Sequence, residues 1–332
     1  MLPVEITGRG KRESGLSRLR QPVPLRRWRE LVGSSLMRGF SLLVGVMLLV
    51  ISLTLIIRAW PVLGHIPFSE LLFSKSWNPS QGTFGLGVFV AGTLIVTLTA
   101  MVLAVPAAIL SAIYLAEYTS QRIRLLFKPV VDLLAGIPSV VYGLWGILVV
   151  VPVVRETVAP WLDQHVGESI PLVRNFNPTG YGLFSSGFVL AMMIFPIIVS
   201  VSEEVLRSVP DELRHALYSV GATKWEVTQV VAFRSARGGL LAAIVLGLSR
   251  AIGETLAVVM LVGNVPQVPR SLFDGGYTLS GLIANTYGEL MSIPLYESAL
   301  MTAAVLLFLI ILIANIIARV FLDRQIARGG IR

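Results

Sequence analysis

The stretch LGLSRAIGETLAVVMLVG, residues 246–263, decides what kind of protein this is. Almost every residue in it suits hydrocarbon, yet Arg250 and Glu254 stand near the middle, four residues apart. An arginine at the centre of a spanning helix costs roughly 2.5–3.5 kcal/mol on insertion scales, and a central side chain cannot easily snorkel to the interface. At i and i+4 the two charges share one helix face. Two readings follow. One is a buried ion pair that fixes helix packing, although arginine before glutamate is the weaker order for such a pair. The other is a polar face lining a water-accessible path, the usual setting of intramembrane ionisable residues. Ser249 and Thr255 add polarity beside the pair, and Gly247 and Gly253 admit a close neighbour.

The rest of the chain agrees with a bilayer setting. Of 332 residues, 55% are hydrophobic and only 14% charged, and the mean hydropathy is +0.78; a soluble domain carries about 25% charge. The apolar runs are long and lack strict alternation, so helices rather than a barrel satisfy the backbone. With no cysteine there is neither a disulfide framework nor a thiolate metal site. The three histidines, His65, His165 and His215, fall in polar connecting segments, which weakens a metal-enzyme or intramembrane protease reading. No nucleophile–base pair stands in the spans, so no catalytic residue and no metal ligand is expected.

Apolar runs near 39–57, 85–115, 130–154, 183–201, 238–263 and 298–321 predict an all-α polytopic membrane protein with six transmembrane helices. The first run is followed by RAWPVLG, without a small-residue cleavage site, and reads as an uncleaved anchor. Lys and Arg number 21 in segments 1–38, 117–129, 202–237 and 319–332, against five in 58–84, 152–182 and 264–297. That asymmetry places both termini in the cytoplasm. It also accounts for the net charge of +8 without nucleic acid; a basic tail touching anionic lipid fits. The organisation expected is a basic cytoplasmic tail (1–34), a first span and external loop (35–84), a core of five spans (85–322) with an inner loop at 202–237, and a C-terminal cytoplasmic tail (323–332).

That inner loop reads as two short helices forming a rigid knob. Ser208 is the expected cap of the first, with Pro210 in its first turn and Asp211 behind. Gly221 ends it in the left-handed conformation, and Thr223 with Glu226 forms a capping box for the second. Outside, YTLSGLIANTYGEL predicts a short helix at the outer surface, capped by Thr278, with Leu282, Ile283, Tyr287 and Leu290 along one face. The third run begins AGIPSVVYG: Pro138 removes a donor and Gly136 loosens the turn. Either an ordinary kink results, or freed carbonyls and Ser139 line a path. Trp60, Trp145 and Trp161 read as interfacial anchors.

DELRHALYSVGATKWEVTQVVAF, followed by GLSRAIGETLAV, resembles the coupling loop and following span of ATP-binding-cassette importer permeases. AGIPSVVYGLWG and TLIVTLTAMVLAVPAAI sharpen the resemblance to the phosphate branch, PstC type, over roughly residues 85–322. The resemblance implies a type I importer permease fold in the bacterial cytoplasmic (inner) membrane. It implies a sister permease (PstA type), an ATP-binding subunit dimer (PstB type) and an external phosphate-binding protein (PstS type) as partners. It also implies no cofactor in this chain, ATP and Mg²⁺ residing on the ATPase. That fits the absence of a GxxxxGK[ST] phosphate loop. Asp211, Glu212, His215, Ala216, Gly221, Ala222 and Glu226 are then the coupling residues. His215 stands where the general pattern is acidic, so Asp211, Glu212 or Glu226 is expected to supply the acidic contact. In the resembled family the arginine and glutamate corresponding to Arg250 and Glu254 are implicated in phosphate movement. The expected path is Arg250, Glu254, Ser139 and Thr255, the guanidinium fork donating two parallel hydrogen bonds to an oxyanion. The alternatives are a permease for sulfate, molybdate or tungstate, or an ATP-independent secondary transporter, which would show inverted repeats and several intramembrane acids.

Overall fold

A computed structural model describes residues 24–174, 177–289 and 292–329, with side chains between residues 32 and 320. In chain order the elements are α1 (Pro24–His65), α2 (Phe68–Phe73), a hairpin of β1 (Trp77–Asn78) and β2 (Thr83–Phe84), α3 (Gly87–Ile113), α4 (Gln121–Ala135) and α5 (Ser139–Val166). There follow α6 (Leu183–Arg207), α7 (Asp211–Ser219), α8 (Lys224–Val230), α9 (Arg237–Ile252), α10 (Leu256–Leu261), α11 (Leu279–Thr286) and α12 (Tyr296–Gly329). The chain forms two compact units, residues 1–54 and 55–332. In the first, side chains 35–51 are all exposed and mostly apolar, a surface suited to lipid. The basic residues Arg26, Arg27 and Arg29 fall within α1 rather than in a loose tail, and the part of the expected tail before residue 24 lies outside the described residues. At the other terminus α12 runs on to Gly329, so most of the expected C-terminal tail is helical. His65 and His165 likewise fall in the last turns of α1 and α5, not in connecting segments.

Among the described residues, five helices are long and apolar enough to cross a membrane: Val32–His65, Gly87–Tyr118, Ser139–Val166, Leu183–Arg207 and Tyr296–Val320. A sixth is reached if Lys224–Ser235 and Arg237–Ile252, bent by 67°, are taken as one. The expected unbroken span 238–263 is instead divided at residues 253–255 into α9 and α10. At 1.5 Å per residue the halves measure about 24 and 9 Å. End to end they reach about 33 Å, enough for the ~30 Å hydrocarbon core. The third run is divided too: its first residues belong to α4, and the spanning helix starts at Ser139, after the break at Gly136 and Pro138.

α3 and α6 form the centre of the second unit. Ala100, Ala104 and Ala108 recur every four residues on α3 and are buried against Leu190, Met193, Ile194 and Ile198 of α6. Gly187 sits so close to Thr99 that a Cβ there would lie 2.7 Å from its methyl group, and Gly247 of α9 meets Ile198 in the same way. In lipid, where apolar burial gives little drive, such close approach of small residues supplies the dispersion energy. A second cluster gathers Leu71, Phe84, Phe89 and Tyr296 around Trp77, whose ring meets Phe84 edge-on at 5.7 Å and Phe89 at 5.2 Å. This pins the hairpin to α3 and α12.

Several turns are wide. α5 contains two π segments, Gly146–Val150 and Val154–Val158; α3 is prolonged by another at Tyr114–Tyr118, and α8 by one at Val231–Ser235. The helix expected at the outer surface is buried: Leu279 and Leu282 are fully enclosed, and Thr278 caps α11 by accepting from the Gly281 N–H at 3.1 Å. Its N-terminus is held by Thr93 of α3, whose hydroxyl accepts the Leu279 N–H at 3.0 Å. Tyr287 is exposed at its end, and Leu290 lies outside the described residues.

Candidate functional site: a broken span and a two-helix knob

The break follows from local chemistry and one distant contact. Gly253 weakens the helix after Ile252. The Glu254 N–H turns back to the Ala251 carbonyl at 3.3 Å, a tighter turn than the α-helix allows. Glu254 Oε1 then faces the Ala257 N–H at 3.4 Å, at the start of α10. The Glu254 carbonyl, freed from the helical ladder, accepts the hydroxyl of Ser280 on α11 at 3.0 Å. An orphaned carbonyl in hydrocarbon is thereby satisfied.

The break separates the charges that a continuous helix would have stacked. Among the described residues Arg250 forms no ion pair, with Glu254 or any other acid. It is exposed in the last turn of α9, where the helix dipole favours a cation. The structure therefore does not contain the Arg250–Glu254 ion pair weighed from the sequence. Beside Arg250, Ser249 donates to Asn315 Oδ1 of α12 at 2.7 Å.

The second break lies close by. α10 packs on the first turns of α5, where Gly143 approaches Ala257 and Met260, and Gly146 approaches Leu261. Tyr142 spans residues 136–138 by donating its hydroxyl to the Leu134 carbonyl at 2.9 Å. Arg250 is near enough for its charge to act on Tyr142. Ser139, first in α5, is half-buried, and its hydroxyl makes no hydrogen bond among the described residues. The Thr255 hydroxyl makes only a long contact, 3.4 Å, to the Gly253 carbonyl. Two interrupted helices thus bring Arg250, Glu254, Tyr142 and Ser139 into one region of the bundle. Tyr142 and Ser280 escaped the sequence reading, since neither stands out without its distant partner.

The knob follows its predicted outline with one correction. Ser208 does not cap α7. It is the last turn of α6: its N–H is bonded to Glu204 and Val205, and its hydroxyl donates to the Val205 carbonyl at 2.7 Å. Pro210, which disfavours a helical residue before it, takes the cap position instead. Gly221 has φ +86° and ends the helix in the left-handed conformation, its N–H reaching the Tyr218 carbonyl at 3.0 Å. Thr223 and Glu226 form the capping box, and the Glu226 carboxylate accepts the Thr223 N–H at 2.7 Å and its hydroxyl at 2.8 Å. Those bonds hold its carboxyl below the usual range.

Arg214, missed from the sequence, clamps the knob to the bundle. Its guanidinium donates to Glu117 at the end of α3 (2.8 and 3.3 Å), to the carbonyls of Leu206 (2.9 Å) and Val209 (2.5 Å), and to Asp211 (3.0 Å). The hydrogen bonds to Glu117 raise its pKa above the ordinary arginine value. A few residues on, the Lys224 ammonium lies 4.7 Å above the Tyr118 ring. Both helices of the knob are therefore tied to the same π turn. Outward, Glu212, His215 and Ala216 are exposed, and Tyr218, Val220 and Trp225 give the tip an apolar surface. Asp211 and Glu226 are engaged within the knob; Glu212 has no bond to its carboxylate among the described residues.

Five membrane-length helices among the described residues, the charged pair α9 and α10 and a two-helix knob define a membrane transport subunit. Residues 104–327 match the family model described as the binding-protein-dependent transport system inner membrane component, and the chain belongs to that family. It is 37% identical over 264 residues to the phosphate transport system permease protein PstC of Xylella fastidiosa strain 9a5c, covering 79% of this chain and 81% of that one. To PstC of Mesorhizobium japonicum it is 38% identical over 296 residues, 88% and 90% of the two chains. A solved chain of the MetNI methionine ABC transporter, inward facing, has a TM-score of 0.49 and 19% identity, covering 72% of this chain and 94% of that one. The protein is a multi-pass inner-membrane permease component.

Proposed function

We propose that this chain is the permease subunit of an ATP-driven importer of inorganic phosphate, and that the anion passes the helix breaks at Arg250, Glu254, Ser139 and Thr255. The observation that carries the reading is Arg250, a cation placed within a divided span and left without an ion-pair partner among the described residues. A charge placed within a span calls for water or a counter-ion; a passing oxyanion supplies one transiently. The guanidinium offers two parallel donors. Glu254, turned toward the start of α10, repels an anion that lingers and so keeps its binding weak. The PstC relatives support phosphate as the anion.

The knob docks an ATP-binding subunit dimer on the cytoplasmic side, where both termini also lie. The apolar tip formed by Val220 and Trp225 supports a protein partner, and Glu212 is the acid left to meet it. ATP and Mg²⁺ belong to that partner. A sister permease completes the pathway, and an external phosphate-binding protein loads it. The test is radiolabelled phosphate uptake in cells without other phosphate importers, normalised to assembled complex, with sulfate, molybdate and tungstate as competitors. Arg250→Gln abolishes uptake while assembly stays near normal, and Arg250→Lys largely fails because the planar fork is lost. Uptake by Arg250→Gln close to wild type refutes the path, and competition by another oxyanion in place of phosphate refutes the substrate.

A further inference from the structure

At the far end of the bundle from the knob, a cavity of about 1140 Å³ opens between residues 177–181, the last turns of α10 and residues 263–275. Its floor includes Val259 and Met260, residues of the half-helix that begins just after Glu254. Some polar groups on its wall are already engaged, while Asn264 Oδ1 is buried without a hydrogen-bond partner among the described residues. The Asn177 amide donates to the Tyr181 and Phe273 carbonyls at 2.6 and 3.1 Å, and the Thr179 hydroxyl donates to Asn177 Oδ1 at 2.7 Å. Asp274, 8% exposed, is the one acid on the wall; it accepts the backbone N–H groups of Arg270 at 2.7 Å and Ser271 at 3.1 Å, so its charge is locked into the loop. Two charges remain. Lys75 and Arg270 line the cavity, are exposed, and form no ion pair among the described residues.

Neither side chain hangs from a loose segment. Lys75 precedes the hairpin, whose Gly85 N–H is bonded to the Ser76 carbonyl at 2.9 Å and whose Trp77 is packed among aromatic rings. Arg270 is anchored through its own N–H by Asp274. Lys75 and Arg270 against Asp274 leave the wall a net charge of +1 (two cations less one anion), and a concave, low-dielectric wall focuses that field and concentrates the opposite ion. Size defines the ligand state. At about 30 Å³ per water, a tetrahedral oxyanion with a dozen waters needs roughly 450 Å³. The cavity holds it without stripping its hydration shell.

We propose that this cavity is an anion antechamber, a weak receiving site for a hydrated inorganic oxyanion, with Lys75 and Arg270 as its receiving charges. It rests on the path reading above, and hands the anion along α10 to the break at residues 253–255. A weak, wet site suits conduction, since the ion must leave as readily as it arrives.

The test uses the assembled complex in proteoliposomes with saturating phosphate-loaded binding protein. The double variant Lys75→Gln with Arg270→Gln lowers the phosphate uptake rate about five-fold at low ionic strength. The deficit narrows in 1 M salt, where the screening length falls to about 3 Å. The charge-keeping pair Lys75→Arg with Arg270→Lys transports like wild type. The binding-protein concentration for half-maximal ATPase stimulation stays unchanged. A rise in that concentration overturns the proposal, because the two charges then dock an acidic face of the binding protein. Wild-type uptake by the double variant overturns it as well. Arg250→Gln, measured in parallel, keeps the two claims apart: if it alone abolishes uptake the antechamber fails and the path stands, and if it transports normally the path fails whatever the double variant does.

Discussion

Removing the Glu117 carboxylate should loosen the knob more than any change at its exposed surface. The Glu117 and Arg214 side chains are only 7% and 14% exposed and meet at 2.8 Å. Deleting one partner of a buried ion pair typically costs 3–5 kcal/mol, because the other charge stays behind. Arg214 keeps Leu206, Val209 and Asp211 as acceptors, so Glu117→Ala belongs at the lower end, about 3 kcal/mol. That is on the order of a hundred-fold in the equilibrium between docked and released knob. Amide hydrogen exchange at Ala222 and Val227, measured in the assembled complex, should quicken by about that factor. ATP hydrolysis should persist while uptake per ATP falls. The double change Glu117→Leu with Arg214→Met removes both charges and should restore much of the protection. Unchanged exchange in Glu117→Ala would refute the clamp, and so would a double variant no better than the single one.

Three further outcomes follow from the same geometry. Gly221→Val meets no atom within 4 Å of its Cβ, so its cost is conformational, about 1–2 kcal/mol for the left-handed φ of +86°; ATPase copurification should fall while membrane insertion does not. Gly92→Ala would set a Cβ 2.1 Å from the Tyr277 carbonyl, a contact with rigid backbone, and should displace α11 and lower the yield of assembled complex by more than half. The Glu226 cap should be acid-sensitive. Its folded pKa lies below the unfolded value, so its stabilisation is complete above the unfolded value and is lost as pH falls through the folded one. Exchange at the Thr223 and Glu226 amides should rise over that acidic window, and Glu226→Gln should remove the pH dependence.

The parts of the fold legible in the sequence are those whose causes are local. Hydropathy places the spanning segments because the bilayer tests composition over some twenty residues at a time. The Thr223–Glu226 box and the left-handed Gly221 need only residues within one turn of each other, and both formed. Ser208 carried an equally good capping signal, but the preceding helix outlasted its apolar run and absorbed it. The division at residues 253–255 was not legible. Gly253, Glu254 and Thr255 are all visible in the sequence, yet what makes a break affordable there is a hydroxyl 26 residues onward, Ser280. The same holds for Arg214, whose role depends on a carboxylate 97 residues earlier. Arg250 and Glu254 stand out in the sequence as costly charges, but their separation depends on the helix ending between them.

The two π segments of α5 bear on how this span tolerates length changes. Each wide turn accommodates one residue more than an α-helix would over the same rise. Deleting one residue within Gly146–Val150 or Val154–Val158 would let that turn relax to ordinary α geometry, with the flanking faces kept in register. The same deletion in Leu183–Arg207, among the described residues free of such turns, would rotate everything beyond it by about 100° and tear Ile194 and Ile198 from their neighbours. Insertions and deletions among homologous permeases should therefore concentrate in the stretch from Gly146 to Val158, where the helix carries its own slack.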